Sequence, residues 1–427
     1  TSCHCAGSLI IGLNIEAVTT DSDSCRRTEL GVMTDSMLFP NADKSERPPD
    51  GVSRRRLLTG TATAGMVAAA GCTGSDDEPT ARPTVFVFNT GDGTVSLIDP
   101  GADEVVETRA VGLSASFPSN QYTPGLTDDL SDSLWLNVDR GVRGLSLDGF
   151  AETAAVETES GANWLEQTPD GQHVVVSARE PTHRQFRIDA DPSSDTFGEV
   201  SAELDRTPEG GRGDRAGPGP CDVTVHPDGQ YAYVPDLYGD TLTVLSIDPF
   251  EIETQIEVDP VGDGPSAPWM GTVSWDGETL LVEHNEGETG TESIWDVTDP
   301  ANPTLSARLT AADGLGERPL TSEIGPDSAT GYVFTPGTDD VTVVDLTGGT
   351  VTDHLDLGGS AFVGTWNPAR TKLYVPVQTN DEVAVIDHEE GGIVDRLSVG
   401  PSPYGATAAT ARPPADSMAA LGAAMAQ

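Results

Sequence analysis

The chain has 427 residues, with 69 Asp and Glu against 23 Lys and Arg, a formal net charge of −46 at pH 7. Nucleic acid is excluded as a partner, because phosphate recognition needs a basic footprint, and an anionic membrane surface repels such a chain. Hydrophobic residues make up 36%, enough for a core, which excludes wholesale disorder.

The charge is unevenly placed. Residues 1–72 carry 8 acids and 7 bases, and residues 73–427 carry 61 acids and 16 bases. Lys44 and Lys372 are the only lysines. At low salt such self-repulsion destabilises a compact state. At 1 M salt the Debye length is about 3 Å and the penalty is removed. Abundant Asp and Glu with almost no lysine resembles the proteins of haloarchaea. Against this background no single acid cluster reads as a ligand site.

Ser53-Arg54-Arg55-Arg56-Leu57-Leu58 precedes a stretch of small and apolar residues, 59–71, of signal length and too short to span a bilayer. It ends Ala69-Ala70-Gly71-Cys72. Residues 53–72 resemble a twin-arginine signal with a lipobox. The resemblance implies export in folded form, with Arg54 and Arg55 as the twin arginines, cleavage before Cys72 and lipidation of its sulfur. Ala69 departs from the larger aliphatic residue usual three places before the cysteine. The expected location is extracytoplasmic, on the outer face of the cell membrane, held there through the lipid anchor only. Residues 1–52 read as upstream sequence and n-region without structure, and residues 73–83 as a polar tether. Met33 or Met37 is the expected start. Cys3, His4 and Cys5 have no second ligand cluster to make a metal site. With Cys72 lipidated, Cys221 is the only thiol of the mature chain, expected to be a small buried hydrophobe rather than a nucleophile.

Beyond the tether the sequence repeats. A β-branched run ending in a hydrophobic–Asp step recurs at Asp99, Asp148, Asp189, Asp248, Asp296, Asp345 and Asp387, at spacings of 49, 41, 59, 48, 49 and 42 residues. The longest interval contains a Gly/Pro-rich insertion, 206–220, which reads as a long loop. The clearest unit has strands at 222–226, 231–235, 241–247 and 251–258, each expected to alternate with period two. Seven four-strand units of this length predict an all-β fold, a seven-bladed β-propeller of four-stranded antiparallel blades. One strand at 85–89 precedes the first mark, and residues 400–407 match the start of a unit. The ring is therefore expected to close with strands from both ends of the chain, removing open edges. The propeller should span 84–411, with 412–427 a mobile tail.

Val85-Phe86-Val87-Phe88-Asn89-Thr90 and Leu373-Tyr374-Val375-Pro376-Val377, each followed by a Val-rich run ending in Ile-Asp, resemble the YVTN (YncE-like) propeller repeat. His226-Pro227-Asp228-Gly229 and Val234-Pro235-Asp236-Leu237 also resemble the lactonase-type seven-bladed propellers. Those enzymes commonly carry His and Arg after a Gly-Pro at the start of this blade. Here the stretch is Gly219-Pro220-Cys221-Asp222, so the positive groups are missing, which weighs against lactone hydrolysis.

Aligning the units puts Glu166, Thr224, Thr272, Glu323 and Thr365 at one channel-facing position and Gln167, Val225, Val273, Ile324 and Trp366 on the core side. Glu166 and Glu323 among hydroxyls are the candidate metal ligands, for a divalent cation such as calcium. The mouth loops supply Trp269, His284, Arg179, Arg318, Tyr404 and Asp236 as candidate ligand-binding groups. No short catalytic motif is present in the mature chain. The reading that follows is a monomeric, non-catalytic binding or scaffold propeller for a small polar ligand or a cell-surface protein. The alternative is a lactonase-like hydrolase, with Glu323 as base and a divalent cation polarising the carbonyl. A quinone or electron-transfer propeller is a third.

Overall fold

The computed structural model describes residues 82–110, 133–138, 140–147, 151–161 and 163–410, all within the compact unit Asp50–Gln427. Arg54, Arg55, Cys72, Asp148 and the 412–427 tail lie outside the described residues. Seven antiparallel sheets follow one another along the chain. Blade 1 pairs Pro403–Ala409 with Thr84–Asn89, then Thr94–Asp99 and Glu104–Ala110. Blade 2 has three described strands, Ser133–Val138, Gly141–Ser146 and Glu152–Glu157. Blade 3 is Asn163–Gln167, His173–Ala178, Arg184–Asp189 and Val200–Asp205; blade 4 is Thr224–Val225, Tyr231–Asp236, Thr241–Ser246 and Glu251–Glu257. Blade 5 is Pro268–Val273, Thr279–His284, Thr291–Asp296 and Thr304–Leu309. Blade 6 is Ser322–Ile324, Thr330–Thr335, Asp340–Asp345 and Thr350–Asp356, and blade 7 is Thr365–Trp366, Lys372–Val377, Glu382–Asp387 and Gly392–Ser398. Among the described residues the only helical pieces are two single 3-10 turns, Thr207–Glu209 and Ala311–Asp313, and none is long and apolar enough to cross a membrane.

The fold is the expected seven-bladed propeller, and its two ends meet as expected. Thr84 pairs with Ala409 and Phe88 with Gly405. Seven apolar clusters occupy the seven junctions between successive blades. The last joins Tyr374, Val383 and Val385 of blade 7 to Val85, Val87 and Ala406 of blade 1.

The recurring aspartate has a local cause. Asp99, Asp189, Asp296, Asp345 and Asp387 each end the third strand of a blade. Each carboxylate accepts the N–H two residues on, from Gly101, Asp191, Thr298, Thr347 and Glu389. This Asx turn swings the chain into the fourth strand. Period-two alternation does not hold in every strand. It is clear in the outermost ones, such as Glu251–Glu257. The second and third strands are buried on both faces, as in Tyr231–Asp236, because a neighbouring blade covers each face.

Candidate functional site

The innermost strands carry the acids that the repeat alignment singles out. Val225, Val273, Ile324 and Trp366 fill the junction clusters, while Glu166, Thr224 and Thr365 are buried outside them. The polar groups here are spent largely on the next blade. The Glu166 carboxylate of blade 3 accepts the Val225 N–H of blade 4. Asp222 accepts the Val223 N–H at 2.7 Å and, across the junction, the Gly271 N–H of blade 5 at 2.7 Å. The Thr272 hydroxyl donates to the Ser322 carbonyl of blade 6 at 2.8 Å.

Burial drives the Glu166 carboxyl well above its ordinary range; the Val225 N–H opposes this, and Asp222 and Glu323 add to it. Burial likewise raises Asp222. Glu323 differs in being only partly buried. The Trp366 indole faces it without closing a hydrogen bond of normal geometry, and desolvation pushes its carboxyl up to about 8. It can therefore exchange a proton near neutral pH. Among the described residues no set of three or more His, Cys, Asp or Glu side chains is arranged to hold a metal ion. Glu166, Asp222 and Glu323 thus do not converge on one cation, and backbone N–H groups already occupy the first two.

A second cluster stands where the loops of blades 3 and 4 meet. The Arg179 guanidinium lies 2.6 Å from Glu180 and 3.6 Å from the Cys221 sulfur. The Tyr238 hydroxyl donates to Glu180 at 2.6 Å. Arg215 stacks over the Tyr238 ring at 4.1 Å and reaches Glu180 at 3.6 Å. Trp269 packs with Leu237, Tyr238 and Ala267, and its indole N–H has no hydrogen-bond partner. Burial opposes ionisation of Glu180, but Arg179, Tyr238 and Arg215 hold its carboxyl below the usual range. Burial pushes the Cys221 thiol up to about 11, so it is not a nucleophile at neutral pH.

The 206–220 insertion assembles this cluster. It is a long loop, as expected, but a firmly anchored one. Arg206 is fully buried, and Gly217 lies so close to His183 that a Cβ there would sit 2.5 Å from the ring.

Trp269 is therefore the expected ligand-binding residue that this cluster includes in a partly open position. His284 is not available: it is fully buried, with Nδ1 3.1 Å from the Ser266 carbonyl and Nε2 2.7 Å from the Ser293 hydroxyl, and burial holds it neutral. Asp236 is also internal, accepting from Arg206 at 3.0 Å and from Thr241 and Thr243. Arg179 is buried against Glu180 and Cys221. Tyr404 is buried and stacked on Phe362, ring centroids 5.0 Å apart. Arg318 is exposed on the loop between blades 5 and 6. Sequence reasoning missed Glu180, Arg206, Arg215 and Tyr238. One signal was available: Arg206, Arg212 and Arg215 fall within ten residues of a region that has only 16 bases.

No protein-family description matches the chain, and no curated protein is similar to it in sequence. Solved structures share its fold. A periplasmic gluconolactonase from Pseudomonas aeruginosa superposes with a TM-score of 0.59 at 15% identity, covering 77% of this chain and 99% of that one. A protein from Lactobacillus plantarum gives 0.60 at 14%, covering 76% and 99%. A functionally unknown protein from Desulfotomaculum acetoxidans gives 0.58 at 16%, covering 78% and 99%. At these identities the likeness is one of fold.

Proposed function

We propose that this chain is an exported, lipid-anchored β-propeller that binds a small polar ligand at the mouth between blades 3 and 4. The observation that carries this reading is the cluster of Arg215 stacked on Tyr238 beside Trp269. It offers a partly open aromatic face and a cation, a mixture that orients a polar ligand. Glu166 and Asp222, by contrast, are taken up by backbone N–H groups of the inner strands. The test is tryptophan fluorescence of the full chain in high salt, titrated with sugar acids and their lactones. A saturable change that Trp269→Ala and Arg215→Ala both abolish supports binding at the mouth. Turnover of a titrated compound, or no saturable response, overturns it. Export and anchoring rest on Arg54, Arg55 and Cys72. Cys72→Ala should move the protein from the membrane fraction to the soluble fraction of its host.

One observation favours a second reading, lactonase-like hydrolysis. Glu323 is partly open and its carboxyl is raised to about 8, suiting a proton carrier near neutral pH. The Pseudomonas aeruginosa structure is a gluconolactonase, and a putative 6-phosphogluconolactonase from Bacteroides uniformis shares the fold with a TM-score of 0.57 at 14% identity, covering 76% of this chain and 99% of that one. Acid release from gluconolactone that disappears in Glu323→Gln would establish it.

A further inference from the structure

Glu283 and Glu292 are direct partners on neighbouring strands of blade 5, so their side chains share one face of the sheet. Leu281 and Ile294, on that same face, pack against blade 6. Both glutamates are completely buried, and none of their four carboxylate oxygens has a hydrogen-bond partner in the protein. Glu286 nearby shows how a buried glutamate is normally satisfied: one oxygen accepts the N–H groups of Val261 and Gly262, the other accepts from Thr291 at 3.0 Å and Arg308 at 2.6 Å. The contrast asks for an explanation, because buried polar atoms are nearly always paired.

A second observation lies across the junction. Ser322, on the inner strand of blade 6, is buried, and its hydroxyl faces the Glu283 carboxyl without closing a hydrogen bond of normal geometry. Charge is also unbalanced. Arg308 is the cation that both Glu286 and Glu292 feel; its Nε and Nη2 are committed to Thr291 and Glu286, and its buried Nη1 closes no hydrogen bond to either unpaired glutamate. Were all three glutamates ionised, one guanidinium would leave two negative charges in a buried place, a state that only a further cation or bound protons can compensate.

We propose that the carboxylates of Glu283 and Glu292 and the hydroxyl of Ser322 hold a calcium ion at the junction of blades 5 and 6. Two carboxylates, each able to bind through both oxygens, and one hydroxyl provide up to five hard oxygen ligands. A monovalent ion leaves one negative charge uncompensated. Magnesium demands a near-ideal octahedron and dehydrates reluctantly, whereas calcium accepts irregular geometry and bidentate carboxylates and completes its shell with the odd water or carbonyl; zinc prefers nitrogen and sulfur. The ion clamps blade 5 to the inner strand of blade 6. This site is distinct from the inner-strand acids Glu166 and Glu323.

The test uses the full chain in about 1 M KCl, where diffuse attraction of cations to the acidic surface is screened. Chelator-treated protein is titrated with CaCl2 by calorimetry, and Tm is recorded with calcium and with chelator. The expected result is one calcium per chain and a Tm that falls on chelation. Glu283→Gln/Glu292→Gln should weaken binding by more than about 100-fold, beyond what loss of a residue supporting a ligand costs, and remove the calcium dependence of Tm. Glu323→Gln should bind calcium as the wild type does. No saturable heat with the wild type overturns the proposal, as does calcium binding that survives the double variant or is lost in Glu323→Gln. If the double variant fails to fold, Ser322→Ala decides: about tenfold weaker calcium binding with Tm in chelator unchanged supports the site, and unchanged affinity overturns it.

Discussion

The guanidinium of Arg206, in the insertion after blade 3, lies 3.0 Å from the carboxylate of Asp236 in blade 4, and both side chains are fully buried. The same guanidinium bonds Gln185 at 3.1 Å, Thr243 at 3.0 Å and Glu209 at 2.8 Å. One cation thus joins the insertion to two blades. Burial raises the Asp236 carboxyl and Arg206 opposes that rise. Removing one partner strands the other. Arg206→Ala should destabilise the fold by about 3–5 kcal/mol, and Arg206→Met/Asp236→Leu should recover much of that loss. Denaturant unfolding in high salt measures both.

Glu323 sets a pH dependence. Its carboxyl is raised in the folded state to about 8 from an ordinary 4.5, so the folded state binds the proton more tightly than the unfolded state. Its stabilising contribution is fully present below about pH 4.5 and is lost as pH rises through about 8. Melting of the wild type across this window should show a fall in Tm with rising pH that is smaller in Glu323→Gln.

His284 is a packing residue with both ring nitrogens bonded. His284→Phe keeps the ring volume but leaves the Ser266 carbonyl without the ring nitrogen it faces, while the Ser293 hydroxyl keeps the Val282 carbonyl and the Trp295 indole N–H. A loss of about 1–3 kcal/mol follows. Ligand affinity at the mouth should be unchanged, which separates this residue from Trp269 and Arg215.

Gly217 lets the insertion lie on the His183 ring. In Gly217→Ala the new Cβ would meet the ring Cγ at 2.5 Å, so the loop must lift. Overpacking of this kind costs about 1–3 kcal/mol. The lifted loop carries Arg215 away from Tyr238, so Tm and fluorescence-detected affinity should fall together.

The strand Pro403–Ala409 covers the edge of Thr84–Asn89. A chain ending before Pro403 exposes that edge and removes Ala406 and Ala408 from the last junction cluster. Exposed edges pair with other chains, so size-exclusion chromatography should show oligomers or aggregate in place of the wild-type peak.

Much of the architecture was legible because it is written locally. The aspartate ending the third strand of blades 1, 3, 5, 6 and 7 makes an Asx turn, a contact between residues two apart, so its recurrence marks those blades; in blade 4 the strand ends at Ser246 and Asp248 follows it. The alternation that separates Glu166, Thr224 and Glu323 from Val225 and Ile324 follows from strand geometry alone. The mouth was harder to read. His284 and Asp236 sit at the ends of their blades' second strands, where a ligand group would be expected, yet Ser293 and Arg206, 9 and 30 residues away in sequence, turn them inward.

The chain by itself determined seven antiparallel units, their closure through both ends and an acid-rich surface, because these follow from period, turn chemistry and composition. Only the tertiary structure decided which polar groups are spent and which are left over. Asp222 is satisfied by an N–H of the next blade, whereas Glu283 and Glu292 face each other with no partner. The physical reason is that hydrogen-bond satisfaction of a buried group depends on atoms brought from other blades, and no local pattern specifies which atoms those are.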